Sequence, residues 1–284
     1  MSAVTPALGT RRPHPVRAWL GRNALMLFAM LVLLYLFVPI LIMVGMSFSG
    51  SPTSSDRSAG YSLGNYTLEN WKHPCAPIGM CAAVGHSLEV GAVATLVATL
   101  LGTLVAVALV RHRFRGRGGA NVLIFLPMAT PDVVMGISLL TFFVNLGLAG
   151  SLGFGTVVVA HIMFCLSYVV NTVKARLAGM DPRLEEAASD LYASPGTTFW
   201  KVTFPLLFPG ILSAALLAFS LSFDDFVITN FTTGSMQTFP LFVWGSAQRN
   251  IPKEINVVGT IMLLIALAVV LGSEAIRRRG ERQR

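Results

Sequence analysis

Two adjacent carboxylates, Asp224 and Asp225, stand in an apolar run that continues Phe226-Val227-Ile228-Thr229-Asn230-Phe231. An aspartate at the centre of a membrane helix costs about 2.5–3.5 kcal/mol, so a central pair costs about 5–7 kcal/mol. The thirteen Leu, Ile, Val and Phe residues between Leu206 and Ile228 return roughly 4–8 kcal/mol. Insertion on those terms is marginal, which places the charges off-centre, in a wet cavity or in a polar pairing. A rise of 1.5 Å per residue puts Asp224 about 27 Å beyond Leu206. The chemistry on offer is an anionic site for a cation, with Asn230 and Phe231 continuing the same candidate pathway. A polar contact between helices and an end-of-span charge are the structural alternatives. Helical neighbours diverge by about 100°, so one carboxylate is expected to line a path while the other packs or caps.

A third carboxylate, Asp132, follows Thr130-Pro131 in another apolar run, with Pro127 one turn earlier. Prolines are tolerated in a span where freed backbone groups find other partners, and broken helices near the midplane build transport sites. The alternative is local: Thr130 caps a new helical start and Asp132 sits in its first turn. His161, among Val, Ala and Ile, is expected to satisfy its ring between helices rather than bind a ligand or relay protons. Most aromatic residues are packing, and a few can face a cation through cation–π contact. The chain contains no Gly-x-x-x-x-Gly-Lys-Ser/Thr, His-Glu-x-x-His or Gly-x-Ser-x-Gly. No catalytic residue, metal or cofactor is therefore expected, and no ATP site. The glycine-rich stretch Gly150–Gly155 reads as a turn, because it lacks the strand and basic residue of a phosphate cradle.

The elements that position these groups are apolar helices. Charged residues make up 12% and apolar residues 54% of the chain, against roughly 25% and 45–50% in soluble domains. Six segments meet the length of about 20 apolar residues that a span needs: Ala24–Met46, Ser87–Val110, Val122–Leu146, Thr156–Val173, Leu206–Asn230 and Val257–Ile276. The expected fold is therefore all-α and integral to the membrane, with six transmembrane helices. The first is read as a retained helix, since no small-residue cleavage site follows a short apolar core. Residues 47–86 are rich in Ser, Pro, Gly and Asn and are expected to be irregular. Ser87 is expected to cap the second span, with Glu89 in its first turn.

Charge sets the orientation. Four Lys or Arg residues precede the first span, four follow the second, four follow the fourth and five follow the sixth. Only four of the 21, Arg57, Lys72, Arg249 and Lys253, fall on the other side. Both termini are thus expected in the cytoplasm, as a basic tail 1–23 and a basic tail 277–284. Topology and contact with anionic lipid account for the net charge of +8 without nucleic acid. Three cysteines cannot make a disulfide scaffold. Cys165 reads as a packed thiol, and Cys75 and Cys81 share one outer loop as either a disulfide or two thiols.

On the cytoplasmic side, Asp181-Pro182 opens a helix, with Asp181 as cap and Glu185 and Glu186 in its first turn. Leu184, Ala187, Ala188 and Leu191 form its apolar stripe. Asp181–Tyr192 thus reads as a short amphipathic helix, ended by Ser194-Pro195-Gly196 and followed by a helical piece Thr198–Val202. Such a helix lies on the membrane surface or docks in a partner's groove.

The run Glu186-Ala187-Ala188, three residues, Tyr192, nine residues and Val202-Thr203-Phe204-Pro205 resembles the EAA loop of ABC importer permeases. Tyr192 replaces the family's glycine. The segments Pro131-Asp132-Val133-Val134-Met135-Gly136 and Asp224-Asp225 look closest to the permease C-type subunit of spermidine/putrescine importers, a likeness running from about His86 to the end. The resemblance implies a type I ABC importer permease fold in a bacterial cytoplasmic (inner) membrane. In it, the first helix 24–46 packs outside a five-helix core, 87–276, and the loop 181–205 carries the coupling. Glu185, Glu186, Ala187, Ala188, Leu191 and Tyr192 are its ATPase-coupling residues, and Asp132, Asp224, Asp225, Asn230 and Phe231 its substrate pathway. It implies a second permease subunit, two ATP-binding subunits and an extracytoplasmic polyamine-binding protein. Polyamine is preferred because carboxylates suit a cation. An opine, an aminoalkylphosphonate or ferric ion fits the same architecture. A stand-alone proton-coupled transporter using Asp132, His161 and the aspartate pair is a rival of another class, and a membrane enzyme, without a recognisable nucleophile or metal set, ranks third.

Overall fold

The computed structural model describes residues 15–50, 66–249 and 251–282, with backbone alone at 15–22, 269–270 and 273–282. Arg11, Arg12, Arg57 and Arg284 of the charge count lie outside the described residues, as do the side chains of Arg17, Arg22, Arg277–Arg279 and Arg282. The described residues are mainly helical, and the chain divides into two compact units, Met1–Ala76 with Pro252–Arg284, and Pro77–Ile251.

The first unit holds α1 (Pro15–Ser47), α2 (Glu69–Lys72) and α12 (Glu254–Arg282). α1 packs on α12, and Gly259 permits the approach: a Cβ there would lie 2.8 Å from Met43 Sδ. The segment between α1 and α2 is not wholly irregular. Ser49 and Tyr66 form an antiparallel bridge, Asn70 Nδ2 donates to the carbonyls of Ser47 (3.3 Å) and Ser49 (3.0 Å), and Phe48 stacks on Trp71. Lys72 donates to Glu69 at 3.0 Å and holds that carboxyl below the usual carboxylate range.

The second unit runs α3 (Met80–Arg111), α4 (Arg117–Ala129), α5 (Asp132–Asn145), a 3-10 turn, α6 (Phe154–Ala178), α7 (Arg183–Asp190) and α8 (Pro195–Thr198). A π-helical turn (Phe199–Thr203) then leads into α9 (Phe204–Asp224), α10 (Val227–Thr232) and α11 (Phe239–Ala247). α3, α6 and α9 pack mutually through small and β-branched residues, among them Ala98, Ala106, Val169, Val173, Ala214 and Ala218. Small residues let membrane helices approach until dispersion contacts replace the missing hydrophobic drive. Gly102 marks a tight approach of α3 to α6, where a Cβ would lie 2.6 Å from Val169 Cγ1. Gly102→Ala is expected to destabilise the detergent-solubilised protein by about 1–3 kcal/mol, the usual cost of overpacking. Gly85→Ala on the same helix, where a Cβ meets nothing within 4 Å, should leave the melting temperature unchanged or higher.

Among the described residues, four helical stretches are long and apolar enough to span a membrane, and a fifth if the pair α4–α5 counts as one. That pair is bent by 108° at Thr130-Pro131, so the expected third span is two half-helices. Pro131 disfavours helical geometry in the residue before it, and Thr130 adopts an extended backbone. The expected capping role is also reversed: Thr130 Oγ1 donates back to Leu126 O at 2.8 Å, closing α4 rather than opening α5. The second span starts earlier than expected. α3 begins at Met80, so Ser87 is a buried mid-helix residue, not a cap; its hydroxyl accepts the Phe239 amide at 2.9 Å. Glu89 accordingly lies beyond the first turn, exposed. Cys75 and Cys81 are disulfide-bonded. Cys165 is a free, buried thiol that donates to Ala218 O at 3.4 Å.

Candidate functional site

The aspartate pair does not share a helix. α9 ends at Asp224, and Asp225 has an extended backbone before α10 begins. The 100° separation expected on one helix therefore does not apply. The division of the two side chains comes from the break itself.

Asp225 turns inward, with its side chain 8% exposed. Its carboxylate accepts the amides of Ile228 (3.3 Å) and Thr229 (2.8 Å), the first-turn donors of α10 that have no intrahelical partner. It also accepts the Thr229 hydroxyl at 2.8 Å and lies 3.4 Å from His161 Nε2. His161, 1% exposed, reaches Ser222 Oγ through Nδ1 at 2.6 Å and Thr229 Oγ1 through Nε2 at 2.9 Å. Thr229 gives its one hydroxyl proton to Asp225, so its oxygen can accept from a proton on Nε2, while Ser222 donates to Nδ1. One imidazole thus joins α6, the end of α9 and the start of α10, and every member is satisfied, as a buried polar network must be.

Asp224 turns the other way and is exposed. It lines a cavity of about 390 Å³ with Phe223, Phe226, Phe239, Pro240, Val243, Trp244 and Ala247. Phe226 and Trp244 rings meet at 5.2 Å. Among these lining residues Asp224 carries the single charge. A carboxylate among aromatic faces is a setting for an organic cation: the anion supplies a charge-assisted hydrogen bond and the rings supply cation–π contact.

The remaining pathway candidates are not at this cavity. Asp132 is exposed in the first turn of α5. Asn230 is exposed on α10, and Phe231 is half-buried against Gly136 of α5, where a Cβ would lie 2.5 Å from its ring. The structure adds Phe239 and Trp244, from α11, which the sequence reading did not single out. Their signal was weak, since an aromatic in an apolar helix reads first as packing.

The loop 181–205 opens its first helix as its sequence indicates, but Ser194-Pro195-Gly196, expected only to end that helix, also starts the next one. Asp181 Oδ1 accepts the Arg183 amide at 3.0 Å and opens α7. Ser194 Oγ accepts the Thr197 amide at 3.3 Å and opens α8. The second helical piece differs, because Phe199–Thr203 takes a π turn before α9. Glu186 and Ala187 are exposed, Ala188 is half-buried, Leu191 is 82% exposed and Tyr192 98% exposed. Glu185 instead turns inward to Arg111 and Thr203.

Tyr192 has φ +58°, the one positive φ outside glycine among the described residues. The backbone keeps the left-handed turn that the resemblance assigns to glycine, and a Cβ there costs about 1–2 kcal/mol. Tyr192→Gly is therefore expected to raise stability by about 1 kcal/mol in thermal melting, since glycine's larger unfolded entropy offsets part of the relief. A loss of stability would mean that the ring makes contacts outweighing the strain.

Solved structures give the fold. A bacterial ABC transporter involved in import of the acidic polysaccharide alginate superposes with a TM-score of 0.66 at 16% identity, over 93% of this chain and 99% of that one. The methionine ABC transporter MetNI, inward facing, gives 0.58 at 14% identity, over 70% and 94%. The fold is thus that of an ABC transporter membrane subunit. Residues 98–279 match the binding-protein-dependent transport system inner membrane component family, and the chain belongs to that family. It is 38% identical to the spermidine/putrescine permease PotC of Haemophilus influenzae, over 91% of this chain and 97% of the relative. Against PotC of Escherichia coli K12 the identity is 38%, over 86% and 90%. The E. coli K12 putrescine permease PotI is also 38% identical, over 88% and 89%.

Proposed function

We propose that this chain is the membrane-spanning permease subunit of an ATP-driven importer that moves polyamines into the cytoplasm by alternating access. The observation that carries the substrate class is Asp224, a lone carboxylate in an aromatic cavity. The spermidine/putrescine and putrescine permeases among the relatives support it. Six transmembrane helices are proposed, with α12 as the sixth, its described apolar part running Glu254–Ala268. Both termini are cytoplasmic on the charge asymmetry. A second permease subunit completes the pathway, two ATP-binding subunits hydrolyse ATP, and an extracytoplasmic binding protein delivers the substrate. Asp132, Asn230 and Phe231 belong to the same pathway, contributed through α5 and α10. Closure of the ATP-binding subunits moves the coupling loop, opens the cavity outward, and hydrolysis resets it.

The decisive experiment is to purify the complex, identify its co-purifying subunits and measure whether spermidine, presented by the binding protein, stimulates ATP hydrolysis. Uptake without an ATP-binding subunit would sink the reading in favour of an ion-coupled carrier. Orientation has its own check: after mild reduction, a membrane-impermeant thiol reagent should label Cys75 and Cys81 in intact cells. Labelling only after permeabilisation would reverse the topology.

A further inference from the structure

α7 carries the exposed Glu186 and Ala187, yet buries none of its eight residues. Hydrophobic packing therefore holds it only weakly. Its hold is polar and converges on one oxygen: Glu185 Oε1 accepts Arg111 Nη2 and Thr203 Oγ1, each at 2.8 Å. Arg111 is the last residue of α3, and Thr203 ends the π turn that leads into α9. α3 and α9 are two of the three helices of the core. The side chains of the ion pair are 24% and 25% exposed, so salt screens it less than a surface pair, and charge-assisted bonds are the stronger kind. On either side α7 is joined by turns, Gly179–Pro182 before it and the left-handed Tyr192 after it.

We propose that Glu185 is a positioning residue of energy coupling: with Arg111 and Thr203 it forms a strut that makes α7 move as one body with α3 and α9. The proposal rests on the coupling reading of this loop. It divides two adjacent glutamates by task, Glu186 facing the partner and Glu185 facing the transporter's own helices. Without the strut, force applied at α7 is absorbed by the flanking turns.

The test uses the full chain in its complex with the co-purifying ATP-binding subunits, reconstituted in vesicles. It compares Glu185→Gln, the reversals Arg111→Glu and Glu185→Arg, and the exchange of both. One readout is the rate of trypsin cleavage at Arg183, which reports how firmly α7 is held. The other is the ratio of spermidine-stimulated to basal ATP hydrolysis. In Glu185→Gln, cleavage is expected about tenfold faster, the scale of one lost charged hydrogen bond. The complex forms in normal yield, basal hydrolysis persists and stimulation is lost. The exchange should recover most of both properties relative to either reversal. Unchanged cleavage overturns the strut. Faster cleavage with normal stimulation overturns its part in coupling, and loss of the complex would make Glu185 a docking residue instead. The coupling reading itself is checked separately by Glu186→Lys, which must impair association even while α7 stays protected.

Discussion

Replacing Asp224 with Asn is expected to lower polyamine uptake about tenfold or more, with the complex assembled and the chain stable. Asn keeps the volume and hydrogen-bonding capacity but removes the charge, and a hydrogen bond to a charged partner is worth about 1.5–3 kcal/mol. The side chain is exposed on the wall of the cavity, so removing its charge costs the fold little. Asp225→Asn is expected to behave in the opposite manner. Asn can still cap α10, but the buried carboxylate also holds the Thr229 hydroxyl and faces His161. Stability should fall by about 1–3 kcal/mol, with uptake per assembled complex changed less than in Asp224→Asn. The comparison is made on purified complexes, by uptake in vesicles and by thermal melting. Normal uptake in Asp224→Asn, with uptake abolished in a fully assembled Asp225→Asn, would move the cation site to the inner carboxylate.

Glu186→Lys should leave membrane insertion intact and reduce recovery of the ATP-binding subunits about tenfold, with transport falling in step. Glu186 is exposed on a helix with no buried residue, so its reversal costs the isolated chain little. Across an interface a like-charge juxtaposition costs several kcal/mol. Co-purification from solubilised membranes reads the effect. A variant that assembles and transports normally would remove Glu186 from the docking surface.

Much of this was legible in the sequence, for identifiable reasons. The cap at Asp181 is local, set by a side chain two residues from the amide it accepts; Ser194, expected to end a helix, caps the next one by an equally local bond. Helix starts of that kind are written in neighbouring residues. The break at Thr130-Pro131 was legible as a break, because proline restricts the residue before it, but its 108° bend was not. The left-handed turn at Tyr192 was not legible: the family pattern has glycine there, and tyrosine itself signals nothing of the sort.

What escaped was long-range. The choice between Asp224 and Asp225 turns on a histidine more than 60 residues earlier in the chain. No periodicity links His161 to Ser222 and Thr229. Reading Leu206–Asn230 as one helix also hid the interruption that separates the carboxylates. Its clue was Thr229 four residues after Asp225, a spacing that suits a side-chain bond across the first turn of a new helix. The Glu185 ion pair spans 74 residues, and Ser87 turned from expected cap to acceptor of an amide 152 residues away. Such pairings are fixed by the packing of α3, α6 and α9, which only the fold supplies.

The π turn at Phe199–Thr203 has a consequence for descent. It sits inside a helical stretch running Pro195–Asp224 and holds one residue more than the α-helical turn it replaces. That surplus residue is a rotational offset of about 100° between the loop side and the membrane side of the stretch. A one-residue deletion within 199–203 can be absorbed by reverting the turn to α geometry, leaving the faces of α9 in place against α3 and α6. The same deletion between Phe204 and Asp224 turns Ala214 and Ala218 out of the core and sweeps Asp224 away from its cavity. A one-residue loss should therefore be tolerated at the π turn and selected against in the helix after it.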